Sequence, residues 1–416
     1  MTWPMKRLRY LATFNPPVSA SVRTDSEKSY PLLPMDSINE FTDIGTPETH
    51  PVENLLNGYS YLEPTDVAYA KVTPCFENGK GLIGSGLEGP TFATTEVTVL
   101  RPHSSVNQRF LGYLLQSSTF RHAAIASMTG AGGLKRVSEA AMRDLRVPAP
   151  PLEEQKLVAD YLDRETAEID ASIAELSHFI KLTEERRNAT RIKLFSPPYT
   201  ENLTPIKRVA QLVGGSGFPL AQQGLTNEEL PFYKVGSLSS AEDGTLTMAA
   251  DSISRSTARS LGAEVLPPGS VVMAKIGAAL FLRRNALLTK PGCIDNNMLG
   301  LIPTSEIDGR YLQEVLLTLD LTPIANPGAV PSLNMRWFRE TKIEAPSLET
   351  QRKVMRRFSE VDSAARLALV DATKAIQLAQ ERRSALISAA VTGLIDVAAQ
   401  GMSAAEQLQD ELEVPL

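Results

Sequence analysis

Apolar residues recur at Ile169, Ile173, Leu176 and Ile180, at spacings of four, three and four. They lie in a stretch from Pro150 to Phe195 that holds no glycine and, after Pro151, no proline. A stripe with that period is one face of a single α-helix, and nothing in the stretch interrupts it. Two prolines precede it, and Glu153, Glu154 and Asp160 place negative charge in and near its first turns, where the helix dipole favours it. A helix of about 40 residues, rising 1.5 Å per residue, is roughly 60 Å long. That is too long for the core element of a small domain, so the pattern predicts a spacer or a pairing helix.

The same pattern returns from Ala345 onward. Laying Leu152 on Leu348 carries Glu153, Gln155, Ile180, Leu182, Glu185, Arg186 and Arg187 onto Glu349, Gln351, Ile376, Leu378, Glu381, Arg382 and Arg383 without a gap. The stripe is kept as Ala365, Leu369, Ala372 and Ile376. One such segment alone reads as an ordinary amphipathic helix. Two with matched seams are expected to pack on each other as a coiled coil, with Ile169, Ile173, Leu176 and Ile180 of the first helix facing Leu369 and Ile376 of the second.

Between and before the helices the period changes. Residues 1–150 predict short strands at Asp66–Val72 and Thr95–Leu100 and a helical patch at Phe110–Leu115. Residues 196–346 predict strands at Leu230–Val235, Ser270–Ile276 and Met298–Ile302 and a helical patch at Tyr311–Leu319. These parts repeat loosely: PMKRL (4–8) resembles PIKRV (205–209), and PTDVAYAKV (64–72) resembles PGSVVMAKI (268–276). The plan is therefore globular part (1–150), helix (151–195), globular part (196–346), helix (347–397) and a frayed tail (398–416). It is a tandem duplication with a period far longer than that of a solenoid. The fold class is α+β.

Composition refines this plan. The 43% hydrophobic and 22% charged content is that of a globular protein, and 416 residues exceed one core. No apolar run reaches the length of a membrane span and the N-terminus lacks the core of a signal peptide, so a cytoplasmic location and no membrane partner are expected. Two cysteines, Cys75 and Cys293, supply no disulfide framework, and His50, His103, His122 and His178 have no metal-ligand spacing. The net charge of −6 argues against nucleic acid only until it is divided. Residues 1–150 hold 14 basic and 14 acidic side chains and residues 196–346 hold 13 and 14, so the acidic surplus lies outside the globular parts. A nucleic-acid surface on either globular part can only be a local patch.

This plan, with PPLEEQ (150–155), LDRETAEID (162–170), the two ERR triplets, CFENGKG (75–81) and AVTGLIDV (390–397), resembles the specificity subunit of type I restriction-modification systems. Two departures are visible. The second helix reads FSEVD (358–362) where the first has the Leu-Asp-x-Glu-Thr pattern, and the first ends in IKLF (192–195) without the Ala-Val-Thr-Gly form. The resemblance implies two target-recognition domains, each reading one half of a bipartite, asymmetric site in double-stranded DNA. Their two helices would pair antiparallel and fix the spacer. It further implies two methyltransferase subunits and a restriction (translocase) subunit as partners. AdoMet, ATP and Mg²⁺ would belong to those partners, so that this chain is non-catalytic and binds no cofactor or metal.

Base readout needs Arg or Lys for phosphates and guanines, and Asn or Gln for adenines, presented on a rigid scaffold. The candidates are Lys71, Asn78, Lys80, Lys135 and Arg136 in the first globular part, and Lys234, Lys275, Arg283, Arg284, Asn285, Asn334 and Arg336 in the second. Lys71 and Lys275 stand out because they occupy matching places; each of the others reads equally well as a solvated surface group. Phe76 and Trp337 are expected in the core rather than stacked on bases.

Three short matches to catalytic motifs lack their context. SPPY (196–199) fits the base-holding loop of amino-methyltransferases, and NPPV (15–18) nearly does, but Ser196 follows a long helix and no βαβ series is present. GSGLEG (84–89) is a literal GxGxxG, yet Pro90 stands where its helix should begin. No phosphate-binding GxxxxGK[ST] loop occurs. Two competing readings are a free-standing DNA methyltransferase using Ser196–Tyr199 and a structural coiled-coil adaptor with no DNA role.

Overall fold

The structure, a computed structural model, describes residues 3–25, 27–41, 44–131, 133–196 and 203–397. It contains two compact units whose boundary cuts across both long helices: Met1–Ser177 with Thr373–Leu416, and His178–Ala372. The expected tail 398–416 and residues Pro197–Tyr199 lie outside the described residues.

In the first unit, an antiparallel sheet carries the strands Ala12–Phe14, Val97–Pro102, Val67–Ala70 and Gly81–Ile83 in that spatial order, with Val67 opposite Leu100. The predicted strand at Asp66 begins one residue later, because the fully buried Asp66 closes a turn, its N–H donating to Glu63 O at 2.9 Å. Arg101 grips the Asp66 carboxylate through two hydrogen bonds of 2.7 and 2.8 Å. A second sheet orders Glu48–Pro51, Ser29–Leu33, Thr91–Ala93 and Ser60–Leu62, with Ser29–Leu33 parallel to Thr91–Ala93. Helix Gln108–Gln116, capped by the Asn107 side chain, contributes Phe110, Leu111 and Leu114 to a core shared with Val67, Tyr69 and Leu100.

The second unit repeats the arrangement. Ala210–Gly214, Met298–Pro303, Val271–Ala274 and Asn285–Leu288 lie in the same spatial order, extended by Thr245–Leu246. A smaller sheet sets Leu230–Tyr233 between Asp251–Ile253 and Cys293–Ile294, again with one parallel pair, Phe232 opposite Cys293. Burial pushes the Cys293 thiol up to about 11, which makes it an inert core group. Helix Gly309–Thr318 covers the larger sheet as Gln108–Gln116 does in the first unit. Each globular part is closed by a pairing of its first and last strands, Lys6 opposite Val147 and Thr204 opposite Ile343.

The long helices run Leu152–Phe195 and Leu348–Val391. In the first unit Val158 and Leu162 share a core with Ile387 and Val391, and Arg383 Nε donates to Asp170 at 2.9 Å. In the second unit Phe195 meets Phe358 edge-on at 5.1 Å, and Arg187 Nε donates to Asp362 at 2.5 Å. Residue numbers rise on one helix as they fall on the other, so the pairing is antiparallel within each unit. Ile169 is buried and Ile173, Leu176 and Ile180 are half-buried; on the second helix Ala372 is buried and Ala365, Leu369 and Ile376 are half-buried. Phe179 and Leu182, off the stripe, are exposed.

One device occurs twice at the root of these helices. In the first unit the buried Gln155 side chain accepts from the Asn107 backbone N–H at 2.8 Å and donates to the carbonyls of Pro150 at 2.8 Å and Ser105 at 3.2 Å. In the second, Gln351 accepts from the Asp308 N–H at 2.8 Å and donates to Pro346 at 2.7 Å and Glu306 at 2.8 Å. Asn107 and Asp308 each cap the helix that covers the sheet. A buried backbone group left unpaired is costly, so this glutamine fastens the long helix to the globular part in both copies.

Candidate nucleic-acid interface

The strand ending at Ala70 delivers Lys71 to the rim of the first unit, where its N–H donates to the Glu96 carbonyl at 2.8 Å. Its own carbonyl accepts from Val137 N at 2.8 Å, and Thr73 N donates to Lys135 O at 3.0 Å. Thr73 Oγ1 also binds Gly133 O at 2.8 Å and accepts from Lys135 N at 2.9 Å. These bonds draw the hairpin Thr129–Ala131/Leu134–Arg136 onto the lysine strand and put Lys71, Lys135 and Arg136 on one lip. Arg136 holds Glu96 through Nη2 at 2.8 Å and Nε at 3.2 Å, which keeps the Glu96 carboxyl below its ordinary range.

Asn78 and Lys80 lie apart from that lip, at the far end of the FENGK turn. The Lys80 ammonium donates to Met35 O at 2.8 Å, so its charge serves the fold. Asn78 is exposed beside Asn39 and Glu40. Phe76 is in the core as expected, against Tyr69 and Phe120, with the Arg121 guanidinium 5.6 Å from its ring centre.

The second unit builds an equivalent lip. Lys275 N donates to Asn297 O at 2.9 Å, Leu333 N donates to Lys275 O at 2.8 Å, and Ile276 pairs with Ser332 of the late hairpin Ala325–Asn326/Ser332–Leu333. Lys234 sits 4.3 Å from the centre of the Phe218 ring and forms an ion pair with Asp251 at 2.7 Å. Both Lys234 and Lys275 act on the Asp295 carboxyl, which burial nevertheless holds above its ordinary value. Arg284 donates to Ser239 Oγ at 2.6 Å, while Arg283, at a positive φ of 52°, reaches Leu319 O at 3.4 Å.

Three residues differ from expectation. Asn285 is only 9% exposed and donates its amide to Gln313 O at 3.1 Å, so it belongs to the core and leaves the set of surface candidates. Asn334 caps helix Met335–Glu340, accepting from Trp337 N at 3.1 Å, and its amide is spent on Asn326. Trp337, expected in the core, is 54% exposed beside the exposed Arg336. Neighbouring residues on a helix point about 100° apart, and Phe338 has taken the inward position.

Asn296 and Asn297, both exposed, were not among the sequence candidates, nor were Arg23 and Tyr59. The last two line an open cavity of about 430 Å³ with Lys71 and Asn15. The signal for Asn297 was available: a polar run before the strand Met298–Pro303 matches Thr95-Glu96 before Val97–Pro102. Asn15, from the near match to a methyltransferase loop, has its amide on Glu139 at 2.7 Å and its oxygen on Val99 N at 3.0 Å, so it is engaged within the fold. GSGLEG forms a single 3₁₀ turn at Gly84–Gly86 rather than a strand-to-helix phosphate loop. Among the described residues no cluster of three or more His, Cys, Asp or Glu has metal-site geometry, and no helix is long and apolar enough to cross a membrane.

Residues 82–177 match the family described as type I restriction modification DNA specificity domain. The likeness is to type I specificity subunits. The type I restriction enzyme EcoAI specificity subunit of Escherichia coli is 35% identical over 159 residues, 38% of this chain and 26% of that protein. The EcoEI specificity subunit of the same species is 34% identical over 156 residues, 37% of this chain and 26% of its own length. The chain thus covers about a quarter of these curated relatives. Among solved structures, a chain from a type I R-M system is similar at a TM-score of 0.75 and 16% identity, over 94% of this chain and 97% of that one. The HsdS subunit from Thermoanaerobacter tengcongensis is similar at 0.51 and 16%, over 95% and 97%. These structural likenesses establish a shared fold: two mixed α/β parts and two long helices.

Proposed function

We propose that the chain is the DNA-specificity subunit of a type I restriction-modification complex, with each globular part reading one half of a bipartite, asymmetric site. The observation that carries this reading is the repeated lip. In both units the backbone of a lysine strand, Lys71 or Lys275, is bonded to a late hairpin and to a polar residue before the next strand, Glu96 or Asn297. A lysine suits phosphate contact, and variable polar heads on a fixed scaffold suit base readout. Because the heads differ between the units, the half-sites differ.

In this reading the antiparallel helices fix the number of unread base pairs between the half-sites, and their outward faces receive two methyltransferase subunits. A restriction (translocase) subunit joins them. The chain carries out no chemistry itself; methyl transfer from AdoMet and ATP-driven steps with Mg²⁺ belong to the partners. Footprinting of the chain with its methyltransferase partner is expected to protect two short segments of duplex DNA separated by a constant gap. A single continuous footprint, or none, contradicts the reading and favours a structural adaptor. Cross-linking of radiolabelled AdoMet to the isolated chain is expected to leave it unlabelled; clear labelling favours a free-standing methyltransferase.

A further inference from the structure

We infer that Arg136 reads a guanine in the half-site bound by the first unit, and that Glu96 is the positioning residue that aims its guanidinium; this rests on the specificity-subunit reading above. Arg136 ends the hairpin strand Leu134–Arg136, and its side chain is 48% exposed. Glu96 takes it by two points, Nη2 to Oε1 at 2.8 Å and Nε to Oε2 at 3.2 Å. A guanidinium has five N–H donors in a fixed planar fork. This grip uses one on Nε and one on Nη2, leaving two on Nη1 and one on Nη2, of which one from each nitrogen points outward side by side at the tip. Two parallel donors at the tip match O6 and N7 of guanine in the major groove. A phosphate contact needs no such aiming, and Lys71 and Lys135 on the same lip can supply it.

The buttress is built on the scaffold. The Glu96 carbonyl accepts from Lys71 N at 2.8 Å and its N–H donates to Thr94 Oγ1 at 3.3 Å, so the carboxylate starts from a fixed backbone at the head of strand Val97–Pro102. An exposed ion pair contributes little to folding, which leaves orientation as the consequence of this geometry. In the second unit the same backbone bonds place Asn297 where Glu96 stands and Ser332 where Arg136 stands. That lip carries no guanidinium at this point, so the guanine preference belongs to one half-site alone.

The test uses the reconstituted complex of the full chain with its methyltransferase partner, and a DNA library in which each base pair of both half-sites is varied. Wild-type complex that shows no bipartite preference sinks the parent reading. Given such a preference, Arg136→Ala is expected to cut discrimination for G·C at one position of one half-site by roughly ten- to hundredfold, with the other half-site untouched. Glu96→Gln is expected to weaken the same position with Arg136 still present, whereas Lys135→Ala lowers binding evenly across sequences. Arg136→Ala overturns the inference if it leaves every base preference intact, whether binding is unchanged or only weakened with a salt slope smaller by about one. Unchanged guanine discrimination in Glu96→Gln overturns the positioning role.

Discussion

The two units share a scaffold and differ in how charge fastens it to the long helices. The first unit ties helix Gln108–Gln116 to Leu152–Phe195 on its surface: Arg109 pairs with Asp160 at 2.6 Å and with Asp163, with Arg109 and Asp163 side chains 39% and 40% exposed. Tyr113 adds a hydrogen bond to Asp163 at 2.7 Å. The second unit hides the fastening. Arg191 donates to Glu314 at 2.7 Å with side chains only 9% and 11% exposed, and its guanidinium lies 5.2 Å from the centre of the Phe358 ring. Outside this buried pair, Arg366, braced by Asp362 of its own helix at 2.6 Å, also reaches the exposed Asp243 of the globular part. The glutamines at the helix roots, by contrast, make the same three bonds in both units. Duplication has kept the contacts that satisfy backbone groups and has let the ionic ones change place.

The difference can be broken most sharply at Glu314. Glu314→Ala leaves Arg191 buried without its acid and is expected to destabilise the second unit by about 3–5 kcal/mol. Replacing both, as Arg191→Met with Glu314→Leu, should recover most of that loss. Urea unfolding of the full chain, followed by a probe in each unit, reads the effect; a loss under about 1 kcal/mol would mean that the pair behaves as a surface bridge. Gln155→Leu and Gln351→Leu sharpen the shared side. Each strands one N–H and two carbonyls, and each should cost its own unit about 3 kcal/mol, with near-equal values; a large inequality would show that the copies do not use the glutamine alike.

The next effect depends on pH and belongs to the second unit. The hydrogen bond and charge from Lys234 hold the Asp251 carboxyl below its ordinary value of 3.8, with help from Gly224 N. A carboxylate whose value is depressed on folding binds its proton more readily when unfolded. Its contribution is therefore full above 3.8 and is lost as pH falls through the lower folded value. Lys234→Met should flatten that acid-side loss in a stability profile taken between neutral pH and acid; an unchanged slope would remove Lys234 as its cause. The smallest effect is expected at Arg109→Ala, at most about 1 kcal/mol and shrinking with added salt. A salt-independent loss of several kcal/mol would place the first unit's fastening in the same class as the second's.

Much of this organisation was legible because it rests on local periodicity. An unbroken stripe and its gapless copy located both long helices, and the matching of Lys71 with Lys275 located both lips. Asn285, a polar residue between Arg284 and an apolar run, reads as surface until a helix, Gly309–Thr318, is laid over its strand and Gln313 O receives its amide. Trp337 is exposed because its helix turn has room for one inward aromatic, and composition does not say that Phe338 takes it. The buried Asp66–Arg101 pair joins residues 35 apart in sequence, and the parallel pairing of Ser29–Leu33 with Thr91–Ala93 joins segments farther apart still. Neither leaves a periodic trace. Gln155 and Gln351 were visible as a repeat, but their task was not, since their partners lie in loops that the sequence does not align.

We propose above that one chain carries two unlike readers on a duplicated scaffold. Mapping methylated adenines across the genome of cells with and without this chain, in the presence of the proposed methyltransferase partner, tests it most directly. Methylation that depends on the chain should fall at a single bipartite motif, with two different half-sites and an invariant number of unspecified base pairs between them. Methylation that is unchanged by removing the chain, or that falls at one continuous motif or two identical halves, would contradict the account.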